Sequence, residues 1–227
     1  MLEAHAPHKP LHGVWEFLLQ LFTISVGLLI AAQIESCVEW RHHVHLAEEA
    51  RTNLRAEIQK NLNDLKNAQP GMKRWQQTIH ADLESMTRIQ EHPNDLSAQH
   101  ATLTVKFSGI TLSDTAWRTA ESTGALAYMP YEEAERYSSI YQAQAAFLAF
   151  EEKPAEDVGG ILGLIARYHW SDTTRITEEQ ASAVAERLGQ MELHLARGDL
   201  LLQVCIEDSS AYLENRKPSD SFNEDVK

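Results

Sequence analysis

Val14 to Ile34 reads VWEFLLQLFTISVGLLIAAQI, and of these 21 residues 15 are hydrophobic while Glu16 alone is charged. At about 1.5 Å per residue such a helix covers roughly 31 Å, which matches a hydrocarbon core of about 30 Å. Trp15 lies just inside one end of the run and Trp40 just beyond the other, and indole rings favour the lipid–water interface. The stretch therefore predicts a single transmembrane helix. A core helix of a soluble protein seldom stays this long without charge. A cleaved signal peptide fits less well, because MLEAHAPHKPLHG lacks a strongly basic start and no A-x-A site follows. An alternative is lipidation at Cys37 within Ile34-Glu35-Ser36-Cys37, where Glu35 departs from the usual lipoprotein pattern.

Inside the segment Glu16, Gln20, Thr23, Gly27 and Ala31 recur every three or four residues, so they share one helical face. Thr23, Gly27 and Ala31 have the small-xxx-small spacing that lets helices approach closely in lipid, and Gln20 can hydrogen-bond across such a contact. The face predicts self-association. Its alternative is a pore lined by Glu16 and Gln20.

Outside the segment the chain is acidic. The whole protein carries a formal net charge of -13, and from Glu35 onward 19 Lys and Arg face 31 Asp and Glu, so -12 of that charge lies beyond the span. Such a surface repels phosphate backbones and excludes nucleic acid as a partner. Lys9 before the span against Arg41, Arg51 and Arg55 after it leans towards a cytoplasmic main domain. Two cysteines, Cys37 and Cys205, make neither a disulfide scaffold nor a closed zinc site. Cys205 offers a thiol for labelling the sidedness of the domain.

Leu46, Ala50, Leu54, Ile58, Leu62 and Leu65 continue at helical spacing with no breaker after the span. They predict a stalk helix running from the membrane to about Asn67, broken or kinked at Gln69-Pro70-Gly71. Met72, Trp75, Ile79, Leu83, Met86 and Ile89 predict a second helix, ended by His92-Pro93. Leu103 to Leu112, alternating around Val105 and Phe107, reads as an extended loop across the helices. Ser113 or Asp114 can cap a short helix carrying Trp117, with Gly124 at its end. Pro130 opens a helix with Ala134, Tyr137, Tyr141, Ala145 and Leu148 on one face, and Lys153-Pro154 is expected to stop it. A short apolar helix follows between Asp157 and His169, with Ser171-Asp172 at its exit. Thr177-x-x-Gln180 is a capping box opening a last helix through Ala181, Val184, Leu188, Met191, Leu195, Leu202, Ile206 and Leu213 towards Arg216. The fold class is therefore all-α: one N-terminal transmembrane helix continuing into a stalk, with an elongated antiparallel helical bundle. Residues 1–13 form a polar tail, 14–34 the span, 35–216 the stalk and bundle, and 217–227 a disordered tail.

Chemistry is sparsely signalled. His5, His8 and His12 lie in a Pro-interrupted tail, and His42, His43 and His45 follow the span; neither group supplies a full ligand set, so no metal is expected. Glu48-Glu49 and Glu132-Glu133 are sequence neighbours and do not share a helical face as a catalytic dyad would. Gly159-Gly160 and Gly163 lack the strand and the Lys of a phosphate loop, and no nucleophile elbow, H-E-x-x-H, calcium loop or dinucleotide fingerprint occurs. No cofactor and no enzymatic activity are expected. Trp117, Met129, Tyr137 and Tyr141 concentrate aromatic and thioether groups that pack a core or, alternatively, line a ligand pocket.

Pro10-Leu11-His12-Gly13, Glu16-Phe17, Gly27-Leu28-Leu29-Ile30-Ala31 and Val38-Glu39-Trp40-Arg41-His42-His43 together resemble a group of uncharacterised bacterial single-pass membrane proteins. Asn53-Leu54-x-x-Glu57-Ile58-x-x-Asn61 and Trp117-x-x-Ala120-x-x-x-Gly124-Ala125-Leu126 are similar to the same group. The resemblance implies a bacterial cytoplasmic membrane location and carries no catalytic or binding residue. The expected function is a membrane-anchored, self-associating scaffold that contacts other membrane or soluble proteins. An oligomeric channel or transport accessory and a membrane-bound ligand sensor are the alternatives.

Overall fold

A computed structural model describes residues 13–99, 103–104, 109–170 and 175–219. The histidines at 5, 8 and 12, Val105 and Phe107, Ser171-Asp172 and the tail from 220 lie outside the described residues. The described part is helical and contains no strand. Its helices are α1 (Val14–Glu91), α2 (Thr115–Ser122), α3 (Tyr131–Phe150), α4 (Glu152–Arg167) and α5 (Glu178–Leu213), with a 3-10 turn at Ala125–Tyr128. The chain divides into two compact units, residues 1–49 and 50–227.

The first unit contains the apolar part of α1. It holds a segment long and apolar enough to cross a membrane, and none of that segment is buried within the protein. Trp15, Phe22, Leu28 and Trp40 are each about two-thirds exposed or more.

The second unit has a core set by two helical seams. In α5 the buried residues Ala181, Val184, Leu188, Met191, Leu195, Gly198, Leu202, Cys205 and Ser209 alternate steps of three and four, a seven-residue repeat that keeps one stripe facing its partners. On α1 the same alternation runs through Leu54, Ile58, Asn61, Leu65, Ala68, Met72, Trp75, Ile79, Asp82, Met86 and Ile89, all buried or half-buried. Ile79, Met86 and Ile89 pack with Ile161, Val184, Leu188, Met191 and Leu195, while Leu65 packs with Leu112, Phe147, Leu202 and Cys205. Polar contacts follow the same order: Arg55 donates to the carbonyl of Leu213, Gln76 to that of Leu195, and His80 pairs with Glu192. As α1 advances, its α5 partners recede.

This seam overturns the expected break at Gln69-Pro70-Gly71. Pro70 lies inside α1, which continues without interruption to Glu91. The apolar phase passes from Ala68 to Met72 unchanged, and Pro70 and Lys66 both face solvent, so water can satisfy the Lys66 carbonyl that loses its helical donor. Core packing on both sides outweighs the proline penalty. Pro70→Ala is therefore expected to stabilise the protein by about 2 to 3 kcal/mol, read as a higher urea midpoint; an unchanged or lower midpoint would contradict an intact helix at this point.

Three other boundaries differ from expectation. Lys153-Pro154 does not stop a helix: α3 ends at Phe150, and Pro154 occupies the first turn of α4, where a missing N–H costs nothing. The last helix ends at Leu213 rather than Arg216, because Asn215 turns left-handed (φ 56°) and Arg216 folds back onto Glu207 at 2.6 Å. Asp114 sits at the N-cap of α2, but its side chain makes no capping bond. Gly124 does end α2, in the left-handed conformation expected of it (φ 72°). The capping box is formed: Thr177 accepts from the Gln180 N–H, and Gln180 reaches back to the Thr177 N–H.

Candidate functional site

On the first unit, Glu16, Gln20, Thr23, Gly27 and Ala31 are all exposed. Thr23 donates its hydroxyl to the Leu19 carbonyl at 2.9 Å, and Ser36 does the same to Ala32. These intrahelical bonds pair each hydroxyl with a backbone carbonyl of its own helix. A Cβ added at Gly27 would meet nothing within 4 Å outside the adjacent helix backbone. The face is thus open to another surface.

The expected pocket residues in the second unit separate into two groups. Trp117 stacks on Tyr141, with ring centroids 5.3 Å apart and planes 21° from parallel. Tyr137 instead shares a 2.6 Å hydroxyl contact with Tyr212, whose ring lies beneath the guanidinium groups of Arg55 and Arg136. Met129 is buried at the end of the 3-10 turn. Tyr137 and Tyr141 are almost wholly buried and their hydroxyls are bonded, which is how aromatic residues pack a core.

The Trp117–Tyr141 stack belongs to a larger polar cluster centred on Glu57. The Glu57 carboxylate accepts from the Ser113 hydroxyl at 2.6 Å, from the Tyr141 hydroxyl at 2.8 Å and from the Ala116 N–H at 3.0 Å. Ala116 is the second residue of α2, so Glu57 caps that helix from another element and complements its dipole. Burial raises the pKa of Glu57, but the bonds from Ser113, Ala116, Tyr141 and Trp117 together outweigh it and leave the carboxyl below its ordinary value. Desolvation, followed by the bond to Glu57, pushes the Tyr141 hydroxyl far above its own.

One turn further along α1, fully buried Asn61 clamps the same loop. Its carbonyl accepts from the Ser113 N–H at 3.0 Å, and its amide donates to the Ser113 carbonyl at 2.7 Å and to Gln144 at 2.9 Å. Asn61 thereby does for Ser113 what a neighbouring strand would do. The Gln144 amide nitrogen is buried and has no partner among the described residues. Sequence reading did not give Glu57, Asn61 and Gln144 these roles. The available signal was Asn61, a polar residue on the buried stripe between Ile58 and Leu65.

Protein-family models, curated proteins and solved structures contain no match to this chain. The roles of these residues therefore come from geometry alone. The segments around Glu57-Asn61 and Trp117-Gly124, far apart in sequence, meet at Ser113 and Ala116.

Other chemical candidates are dispersed. His42 and His43 have ring centroids 5.9 Å apart, and among the described residues no group of three His, Cys, Asp or Glu is placed to hold a metal ion. Glu133 forms a two-pronged pair with Arg51 at 2.7 and 2.9 Å. Cys205 is buried, and desolvation, reinforced by Asp208, pushes its thiol up to about 12, so it is a poor target for an aqueous thiol reagent.

Proposed function

We propose that this chain is a membrane-anchored helical protein of the bacterial cytoplasmic membrane, which self-associates through its span and presents an acidic domain to other proteins. The observation that carries the reading is the wholly unburied apolar segment of α1. In water its exposed Leu, Ile, Phe and Val side chains would have no partner, whereas in lipid they are solvated. The domain is read as an elongated antiparallel bundle with no catalytic activity, supported by the seven-residue seams of α1 and α5 and by polar clusters whose bonds are spent on holding helices together.

Self-association is supported by the open face at Thr23, Gly27 and Ala31. In native membranes, crosslinking is expected to trap oligomers of the full chain, and Gly27→Ile should reduce them several-fold because the added side chain separates the helices. A Cβ at Gly27 meets no atom within 4 Å outside the adjacent helix backbone, so the substitution is expected to leave the protomer intact. A solely monomeric species before and after substitution would refute the self-association.

A further inference from the structure

A cavity of about 760 Å³ in the second unit joins α1 to the segment at 109–111 and to facing residues of α3 and α5. Its size falls in the range of pockets that hold small organic molecules. Buried Phe147 and Leu202, with half-buried Met72, give it an apolar lining. Two carboxylates, Asp64 and Glu151, share the lining with the exposed guanidinium of Arg74.

Glu151 is the distinctive group. It follows the last residue of α3 and is half-buried, and burial raises its pKa despite the bond from Ile110. Among the described residues that bond, from the Ile110 N–H at 3.3 Å, is the only one its carboxylate accepts, and it has no ion pair. Glu57 accepts from three groups at 3.0 Å or less. A half-buried carboxylate with spare lone pairs beside an apolar lining fits a positively charged N–H donor attached to an apolar body. A neutral apolar guest would leave that carboxylate unsatisfied, and among the described lining residues an anion would meet two carboxylates against one guanidinium.

We infer that this cavity is a binding site for a small organic ammonium ion, whose charged nitrogen pairs with Glu151 and whose apolar part lies against Met72, Phe147 and Leu202. The site is separate from the Trp117–Tyr141 stack and does not depend on the membrane reading, because every residue in it belongs to the second unit.

The test is calorimetric titration of the full chain in detergent micelles with phenethylammonium, with its neutral analogue 2-phenylethanol and with 3-phenylpropionate, each corrected against empty micelles. Saturable binding of the ammonium is expected, with the other two weaker by about tenfold or more. Glu151→Gln should weaken the ammonium by a similar factor and leave 2-phenylethanol unchanged. Gly71→Leu provides a second arm: Gly71 lines the cavity, a Cβ there meets no atom within 4 Å outside the adjacent helix backbone, and leucine favours the helix. It should abolish binding while the thermal midpoint holds or rises. The proposal is overturned by absence of saturable ammonium binding, by equal affinity for all three probes, or by ammonium binding that survives both substitutions.

Discussion

Ile24→Arg is expected to move most of the protein out of the bilayer. Ile24 is central in the 14–34 segment and exposed. At mid-membrane each Leu, Ile, Phe or Val favours insertion by about 0.3 to 0.6 kcal/mol, so the Leu, Ile, Phe and Val side chains of this segment supply on the order of 5 kcal/mol. An arginine at the centre costs about 3 kcal/mol and removes the contribution of Ile24 as well, and the polar Gln20, Thr23, Ser25 and Gln33 of the same segment offset what is left of that surplus. The measurement is the fraction of full-length chain retained by membranes after alkaline carbonate extraction. Retention of the unsubstituted chain with a severalfold loss for Ile24→Arg supports the span. Release of the unsubstituted chain, or equal retention of both, would remove it. Glu16→Arg should have a much smaller effect, because a side chain at the segment's end can reach the headgroups.

The largest stability effect in the second unit is expected at Glu57. Glu57→Ala takes the acceptor from the buried Tyr141 hydroxyl, from Ser113 and from the Ala116 N–H at the start of α2. Hydrogen bonds to a charged group contribute about 1.5 to 3 kcal/mol each, and buried donors left without an acceptor add to the loss. A decrease of about 3 kcal/mol in unfolding free energy is expected, read from the urea midpoint, with faster amide exchange at Ala116 and Trp117. An effect below about 0.5 kcal/mol would show that the carboxylate does not hold the helix.

Glu57→Gln isolates the charge. The folded-state pKa of Glu57 lies below its ordinary value of 4.5, so its contribution is full above about pH 4.5 and is lost as pH falls through the folded value. Glu207, lowered to about 2 chiefly by its bond from Arg216, acts in the same sense. Asp82, Glu151 and Asp208 are raised by burial and act in the opposite sense, regaining stability on protonation. Because the last four groups are common to both proteins, the difference between the wild-type and Glu57→Gln midpoints should shrink as pH falls from 6 to 3. A constant difference would assign Glu57 a packing role rather than an ionic one.

The helical periodicities of 54–65, 72–89 and 181–202 were readable before any fold was known, because a buried helical face has a fixed period whatever it packs against. The capping box at Thr177 and the end of α2 at Gly124 were equally local: the first is a bond between residues three apart, and the second a backbone conformation that favours glycine. Pro70 shows where local reading fails. Its penalty is a property of one residue, whereas its tolerance depends on the seam carried past it by Ala68 and Met72. Pro154 misled for a related reason, since a proline that ends one helix and a proline in the first turn of the next look alike in sequence.

The candidate sites divide along the same line. The apolar segment long enough to cross a membrane, the all-helical class and the face at Gln20, Thr23, Gly27 and Ala31 were determined by sequence alone, because length and composition are local properties and a single helix defines its own faces. Tertiary structure decided that Trp117 and Tyr141 stack while Tyr137 turns to Tyr212. It also decided that Glu57 caps a helix more than fifty residues away, and that Glu151 is left at a cavity with a single hydrogen bond among the described residues. Those properties depend on which groups from distant segments converge, and the desolvation and partners of a carboxylate exist only once the chain has folded around it.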